Sequence, residues 1–519
     1  MHRLVIALTT LLTLVGLTVV AGYLFIFAAQ SDRVARAVPA DASIYATVYL
    51  QPSTGQKLNL AALLGRVPGF ADTASLDQKI HEIAGRLLGD AGLDYEADVR
   101  PWLGDQLSVA LQPDGIDPGA AHELLLVDVK DRAAADAALD RIAQDQGLSP
   151  QLRDYQGIQV AVADGTSWAL LDDLLLVGSD ETTVEAAIDA DAGRAAALAD
   201  AGRFTQAMRT VPADHLVSVY LDLAGLAGAA DLGDQLGGYS TASLALVVQP
   251  EGLQLAGSAP FAVDAAPSPA REAFALASEP SSLSEWMPAD TQAEAVLFGL
   301  SQTLQAFEQQ LALQDPGGEV IGAIDQVRAI ALFGLGINVN EDLLPLFDRE
   351  AALAVGGLAG GSPRGQLLLR PSDPDAAASA LERMRGALED RGLTFEESEA
   401  AGVTVTSVEL PDVGTLAYAL KDGVIVAGMN AEDVGAALAA EGGEGSLAED
   451  EGYRSAWSLA GTRGGNEIWL DAGAMVDAAG DALGVTGDLR DILLQVGAVA
   501  MTAPSDDDHS EFHFVVTVR

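Results

Sequence analysis

The chain has 519 residues, more than one ordinary hydrophobic core organises, so two or more domains are expected. Acidic residues number 75 against 28 basic ones, a net charge of −47, so nucleic acid is a poor partner because phosphate binding needs a basic surface. At 49% hydrophobic residues the chain has ample apolar area to fold, and the absence of cysteine excludes disulfides, iron–sulfur clusters, thiolate zinc sites and cysteine nucleophiles.

Residues 4–31 carry no charged side chain, and Leu4 to Ala29 is almost wholly apolar apart from its threonines. Those 26 residues exceed the roughly 20 that cross a hydrocarbon core, and also the roughly 7–15 of a cleaved signal peptide. Residues 1–31 are therefore read as an uncleaved signal-anchor, a single transmembrane helix. The alternative is a long signal peptide cut near Ala28-Ala29 or Ala35-Arg36-Ala37. Charge counting barely orients the span, with Arg3 and the α-amine on one side and Arg33 and Arg36 on the other. A three-residue tail before a first apolar helix stays inside. The expected location is the cytoplasmic membrane, single-pass, with the bulk of the chain extracytoplasmic.

Beyond residue 38 the elements occur twice. Val38-Pro39-Ala40-Asp41 precedes the alternating run Ile44–Leu50, and Met287-Pro288-Ala289-Asp290 precedes Ala293–Phe298, at an offset of 290 − 41 = 249. Gly92 to Leu103 matches Gly336 to Phe347, and apolar strands Leu107–Leu111 and Ala351–Val355 follow. Leu124–Val129 with a helix at 131–146 matches Leu367–Arg370 with a helix at 374–390. Gly157-Ile158-Gln159-Val160 matches Gly402-Val403-Thr404-Val405. Leu174–Gly178 and its helix match Val424–Gly428, and Val219–Asp222 matches Ile468–Asp471. Closing hairpins at 241–258 and 496–518 end both copies. An order kept through so many elements is the mark of an internal duplication.

The fold class predicted is α+β: two tandem copies of a mainly antiparallel sheet module with amphipathic helices, after one transmembrane helix. Alternation in Ile44–Leu50 fits a sheet with one buried face, and short separations such as 167–171 to 174–178 fit local hairpins. Leu76, Ile80, Ile83 and Leu87 form one helical stripe, and Val320, Ile324 and Val327 another. The modules are placed at 38–265 and 287–519, with a linker at 266–286 that carries Pro267, Pro269, Pro280 and a serine cluster. Glu441–Glu451 reads as an acidic, glycine-rich surface loop.

The Pro39-Ala40-Asp41 strand opener after an apolar N-terminus, Gly55-Gln56-Lys57, and Asp98-Val99-Arg100-Pro101-Trp102-Leu103-Gly104-Asp105 together carry a resemblance. The chain resembles a family of uncharacterised bacterial membrane-anchored proteins known only as a domain of unknown function. The resemblance covers almost the whole chain, although the second copy replaces Trp-Leu-Gly with Leu346-Phe347-Asp348. It implies location and architecture, and no chemistry or functional residues.

Nothing in the residues supplies that chemistry. His81-Glu82-Ile83-Ala84-Gly85 puts Gly85 where a zincin helix needs its second histidine. Asp506-Asp507-Asp508 with His509 and His513 falls on a hairpin turn and a strand's polar face, and reads as a solvated turn. Gly55-Gln56-Lys57 lacks the remainder of a phosphate loop, and Gly334-Leu335-Gly336 opens no dinucleotide-binding helix. Asp180, Asn430, Asp222 and Asp471 read as helix N-caps, Trp102 as a core plug, and Tyr45 and Tyr49 as a packed sheet face. No catalytic, cofactor-binding or metal residues are assigned, and no cofactor is implied. The expected role is non-catalytic binding or scaffolding in the cell envelope. The alternatives are a hydrolase with an unrecognised acidic site, or a protein binding a lipid or other apolar ligand.

Overall fold

The computed structural model describes residues 32–51, 53–66, 94–113, 121–229, 238–262, 268–276, 278–314, 318–358, 363–410, 414–442, 445–480, 484–506 and 508–519. The apolar segment 4–29 and the stripe at 76–87 lie outside them. Among the described residues no single helix is long and apolar enough to cross a membrane. The chain divides into two units, Met1–Phe261 and Ala262–Arg519.

The first unit contains β1 (Ile44–Tyr49), β2 (Leu103–Gln112), β3 (His122–Val129), β4 (Gln151–Tyr155), β5 (Ile158–Ala163), β6 (Thr166–Leu170), β7 (Leu174–Gly178), β8 (Val217–Leu221), β9 (Ala242–Gln249) and β10 (Gly252–Pro260). Every pairing is antiparallel, in the order β4-β5-β6-β7-β3-β2-β1-β8-β9-β10. The second unit contains β11 (Thr291–Phe298), β12 (Glu350–Gly356), β13 (Arg364–Arg370), β14 (Phe395–Ala400), β15 (Val403–Leu410), β16 (Gly414–Lys421), β17 (Val424–Gly428), β18 (Asn466–Asp471), β19 (Val496–Ala503) and β20 (His509–Val518). Its order is β14-β15-β16-β17-β13-β12-β11-β18-β19-β20, the same sequence of pairings, again antiparallel.

Registers agree as well as order. Tyr45 lies opposite Tyr220 and Ala110, and Glu294 opposite Trp469 and Ala354. Central strand β3 is apolar on both sides: Leu124 and Leu126 face one core, Leu125 and Val127 the other. A helix covers each face, which is why the run lacks alternation. Ala135 and Ala138 of helix Arg132–Asp145 are fully buried, and Ala377 and Ala380 of helix Pro374–Glu389 nearly so. Without side-chain bulk, both helices lie close to the sheet. Asp131 and Asp373 cap them, accepting from Ala134 N–H and Ala376 N–H at 3.0 and 2.9 Å. Gly178 and Gly428 end equivalent strands where a Cβ would stand 2.9 Å from Val184 Cγ2 and from Asp433 Cβ, so helix and strand approach only because the side chain is missing.

The Pro-Ala-Asp opener acquires a structural reason. Pro39 bridges Ala197 and Pro288 bridges Ser446; Leu198 N–H donates to Val38 O and Leu447 N–H to Met287 O, both at 2.8 Å. In each unit a strap leading to the first strand is stitched to a distant turn. Asp180, Asn430, Asp222 and Asp471 accept backbone N–H bonds at the starts of their helices, and Trp102 is buried with its indole N–H on Asp98 O.

Four sequence expectations change. In β1 both faces are covered rather than one: Tyr45, Thr47 and Tyr49 pack as read, their rings meeting Phe204 and His215 edge-on, and Val48 and Leu50 are buried on the other side with Leu103 and Leu107. Glu441–Glu451 is not all surface loop: Leu447 is fully buried and Glu451 opens helix Glu451–Ala460. The stripe on helix Glu319–Ile330 is not a buried face, with Val320 47% and Val327 65% exposed. The segment read as linker carries helix Ser268–Leu276 and a buried turn, Leu283–Trp286.

Candidate functional site

Three places could hold chemistry: a sealed carboxyl cluster in the second unit, a groove in the first, and an exposed acid–histidine turn. The cluster follows from strand register. Glu294 on β11, Glu350 on β12 and Glu467 on β18 point to one face of three adjacent strands and are buried to 2%, 3% and 0% exposure. Arg463 donates to Glu467 Oε2 through Nε at 2.9 Å and Nη2 at 2.8 Å, and to the Tyr453 hydroxyl at 2.5 Å. Its guanidinium stacks 5.2 Å from the Tyr453 ring centre and 4.8 Å from that of Trp457. Arg370 holds Glu350 Oε2 at 3.1 Å, and the Ser281 hydroxyl donates to Glu350 Oε1.

Two guanidiniums thus face three carboxyls. The third, Glu294, has no well-formed hydrogen bond on either oxygen. Burial drives its pKa up to about 7; Arg463 and the nearby Tyr453 hydroxyl oppose this, and the charges of Glu467 and Glu350 add to it. Glu467 is raised as well, by burial first.

The first unit builds the same place from other groups. Its counterparts are Tyr45 for Glu294, Ser218 for Glu467 and Asp32 for Ser281, each at an offset of 249, with Gln106 for Glu350 (350 − 106 = 244) and Asp128 for Arg370 (370 − 128 = 242). The carboxylate sits on the strap. Asp32 accepts from Tyr45 OH at 2.8 Å, from Val34 and Ala35 N–H at 3.0 and 3.1 Å, and from Gln106 Nε2 at 3.4 Å. Burial raises its pKa against those bonds. Arg33 on the strap meets Asp128 at 3.4 Å, while Arg370 on the strand meets Ser282 of the other strap at 2.5 Å. The cation has changed sides. Both assemblies fasten a strap to the centre of a sheet; the three glutamates of the second are buried, and Asp32 of the first is half-buried.

The groove lies beside helix Arg132–Asp145 in the first unit, about 710 Å³ in volume. Leu152, Ile158, Trp168 and Leu170 supply apolar lining, and Asp136 and Asp140 line it with negative charge, while Asp173 is paired with Arg36. Asp172 is already paired with Arg132. Such a surface fits a ligand with an apolar body and a positive group.

Asp506, Asp508 and His509 offer ligand atoms within 4.8 Å of one another at the β19–β20 turn. His509 Nδ1 already bonds Asp508 at 2.8 Å, which raises the imidazole pKa, and Asp506 caps the turn's own N–H groups. His513 is outside that trio but shares Glu511 with it, at 3.1 Å from one carboxylate oxygen while His509 Nε2 is 3.5 Å from the other. His122 pairs with Asp180 and His215 with Pro212 O, so those histidines form no shared centre; His81 lies outside the described residues.

The buried glutamates were missed from sequence because 75 acids make any one uninformative. The signal was present in the recurring strand order: Glu294 takes the inward position that Tyr45 holds in the first unit.

A mixed α/β protein, with antiparallel sheets carrying buried polar fasteners and no assembled catalytic constellation among the described residues, is the class these observations define. The chain belongs to the family described as "protein of unknown function (DUF3352)", whose model matches residues 5–516. No curated protein matches the chain. Among solved structures it is similar to crystal forms III and I of TP0453, at 11% and 10% identity and TM-scores of 0.25 and 0.24, each over 45% of this chain and 80% of the other. Crystal form IV of TP0453 gives 10% identity and a TM-score of 0.25, over 44% of this chain and 81% of the other. Likeness at that level carries no argument about fold or role.

Proposed function

We propose that the protein is a membrane-anchored, exported component of the cell envelope, built from two copies of one module, that binds or supports a partner without catalysing a reaction. The observation that carries this is the strap of the first unit. It starts at Asp32, one residue after the uncharged stretch 4–31, and is locked into the core, with Val34, Ala35 and Ala37 at 1%, 1% and 0% exposure. Arg36 adds ion pairs to Asp173 and Asp191, both at 2.7 Å. A module so fastened hangs directly from its anchor. Cleavage after Ala37 would strip the strap from the core; cleavage near Ala28-Ala29 would spare it. The shared strand order supports duplication of one ancestral module.

The groove supports binding, with a cationic, partly apolar ligand as its best match. A hydrolase is the weaker alternative, because the perturbed carboxyl, Glu294, is sealed beneath a strap where no substrate reaches. Cell fractionation tests the proposal. The full chain should stay with membranes through alkaline carbonate washing, and external protease should digest residues beyond 32 in intact spheroplasts. Recovery in the carbonate supernatant, or protection from that protease, would overturn it.

A further inference from the structure

The second unit exposes an apolar tip that its own core does not use. Helix Leu300–Gln314 and helix Glu319–Ile330 lean on each other through Arg328 and Glu308, 2.6 Å apart. The chain then runs through Ala331–Leu335 to Gly336, whose left-handed backbone (φ 75°) turns it back. Phe307 is 57% exposed, Val327 65%, Ile330 61%, Leu332 44%, Phe333 83% and Leu335 47%. A patch of this kind on a water-soluble surface marks a place where something else binds.

Charge narrows the occupant. In a chain of −47, residues 329–340 contain no charged side chain, and Arg328 just before them is neutralised by Glu308 and Asp325. One guanidinium borders the patch, Arg391, with its Nε on Gly334 O at 2.6 Å and its Nη1 on Ala387 O at 2.9 Å, so a charged protein partner would find little to pair with. A bilayer needs only apolar side chains at the contact and charges kept behind it. Val320–Leu335 and Val339–Phe347 together also have the length and apolar content of a broken membrane span, bent by 85°. Residues beyond the bend rule out a full crossing. Leu346 is 3% exposed in a core cluster with Ala351, Leu369 and Ile425, and Asp342 accepts from Arg383 Nε at 2.8 Å. Spanning would tear both from the module; lying in the interface would disturb neither. Finally, the chain outside the described structure includes 26 uncharged or apolar residues, 4–29, which would hold this tip near a membrane at high effective concentration.

We propose that Val327–Leu335 is a bilayer-docking tip, by which the second unit rests on the surface of the membrane that holds the N-terminal segment. Phe333 and Ile330 enter the headgroup–acyl boundary, and Arg328, Glu308 and Asp325 stay on the water side. The inference rests on the anchored reading above.

The cysteine-free sequence makes the test direct, since one introduced thiol gives one label. Full-length chain is reconstituted into phosphatidylcholine vesicles with an environment-sensitive fluorophore at F333C, and separately at T18C within the anchor and E396C on β14. Phe333 is 83% exposed, so its replacement leaves the core intact. Vesicles containing acyl-chain nitroxide lipids should quench F333C by at least about twofold and leave E396C unchanged. Adding V327D and I330D should abolish quenching at position 333 and preserve it at position 18. Quenching at 18 without quenching at 333 overturns the docking tip and spares the anchor. In that case, concentration-dependent self-quenching at 333 would assign the face to a second copy, and a concentration-independent, water-shielded probe would assign it to residues 67–93 of the same chain. Quenching at 333 without quenching at 18 overturns the anchor and upholds the tip.

Discussion

The two sheets solve one packing problem with different polar chemistry. In the first unit the strap brings the carboxylate, Asp32, to hydroxyl and amide donors on the strands; in the second the strands bring three carboxyls to guanidiniums and to the hydroxyl of Ser281. The backbone order tolerates this exchange because it depends on strand register and apolar filling, while the buried polar groups need only be satisfied. The second solution is the costlier one. It leaves Glu294 without a well-formed hydrogen bond, where the first has Tyr45, a group that stays neutral and donates to Asp32.

The sharpest way to break the comparison is Arg463→Ala. It strands Glu467 at 0% exposure without its cation, and the expected loss is about 3–5 kcal/mol, confined to the second unit. Native-state hydrogen exchange read segment by segment should show β11, β12 and β18 opening more easily while β1, β2 and β8 do not change.

Glu294→Gln should act in the opposite direction and depend on pH. The folded pKa of about 7 exceeds the ordinary 4.5, so the native state holds a proton that the unfolded chain releases. The stability this confers is complete below about pH 4.5 and is lost as pH rises through about 7. Above that, the glutamine variant should be more stable than the parent by on the order of 2–3 kcal/mol, and the two should converge near pH 4. Urea melts across pH 4–8 measure this, and a constant difference across that range would remove the buried-proton account.

Much of the fold was legible because the signals recur along the sequence: turn glycines, caps and apolar strands appear twice in one order, and chance rarely repeats an order. The same alignment placed Asp180 with Asn430 and Asp222 with Asp471 at the same caps. What stayed hidden was that burial falls on both sides of β1. Alternation suggested one wet face, but Tyr45 meets Asp32 and Phe204 on one side while Val48 and Leu50 pack with Leu103 and Leu107 on the other. Likewise the 320–327 stripe has helical spacing whether it meets a sheet or solvent.

Smaller effects sharpen the equivalence. Asp131→Ala and Asp373→Ala should each cost about 1 kcal/mol and agree within a few tenths, because both remove one N-cap bond from helices of the same placement. A severalfold difference in thermal melts would mean the two helices are not held alike. Smallest of all, Ala401 sits at φ 51° and Gln156 at φ 55° in the equivalent β14–β15 and β4–β5 turns. Glycine there relieves left-handed strain, and each replacement should stabilise its hairpin by about 0.5–1 kcal/mol, detectable as slower exchange of the hairpin amides.

The straps have a mechanical consequence. Asp32 is tied to β1 and β2, which lie in the interior of the strand order, with β3 and β7 on one side and β8 and β9 on the other. A pull on the N-terminal segment therefore loads strands flanked on both edges and must shear several ladders together, instead of unzipping a free edge one bond at a time. Force spectroscopy pulling from residue 32 should give a higher rupture force than pulling from the β4 end of the same unit. Equal forces would show that the strap peels away before the sheet yields.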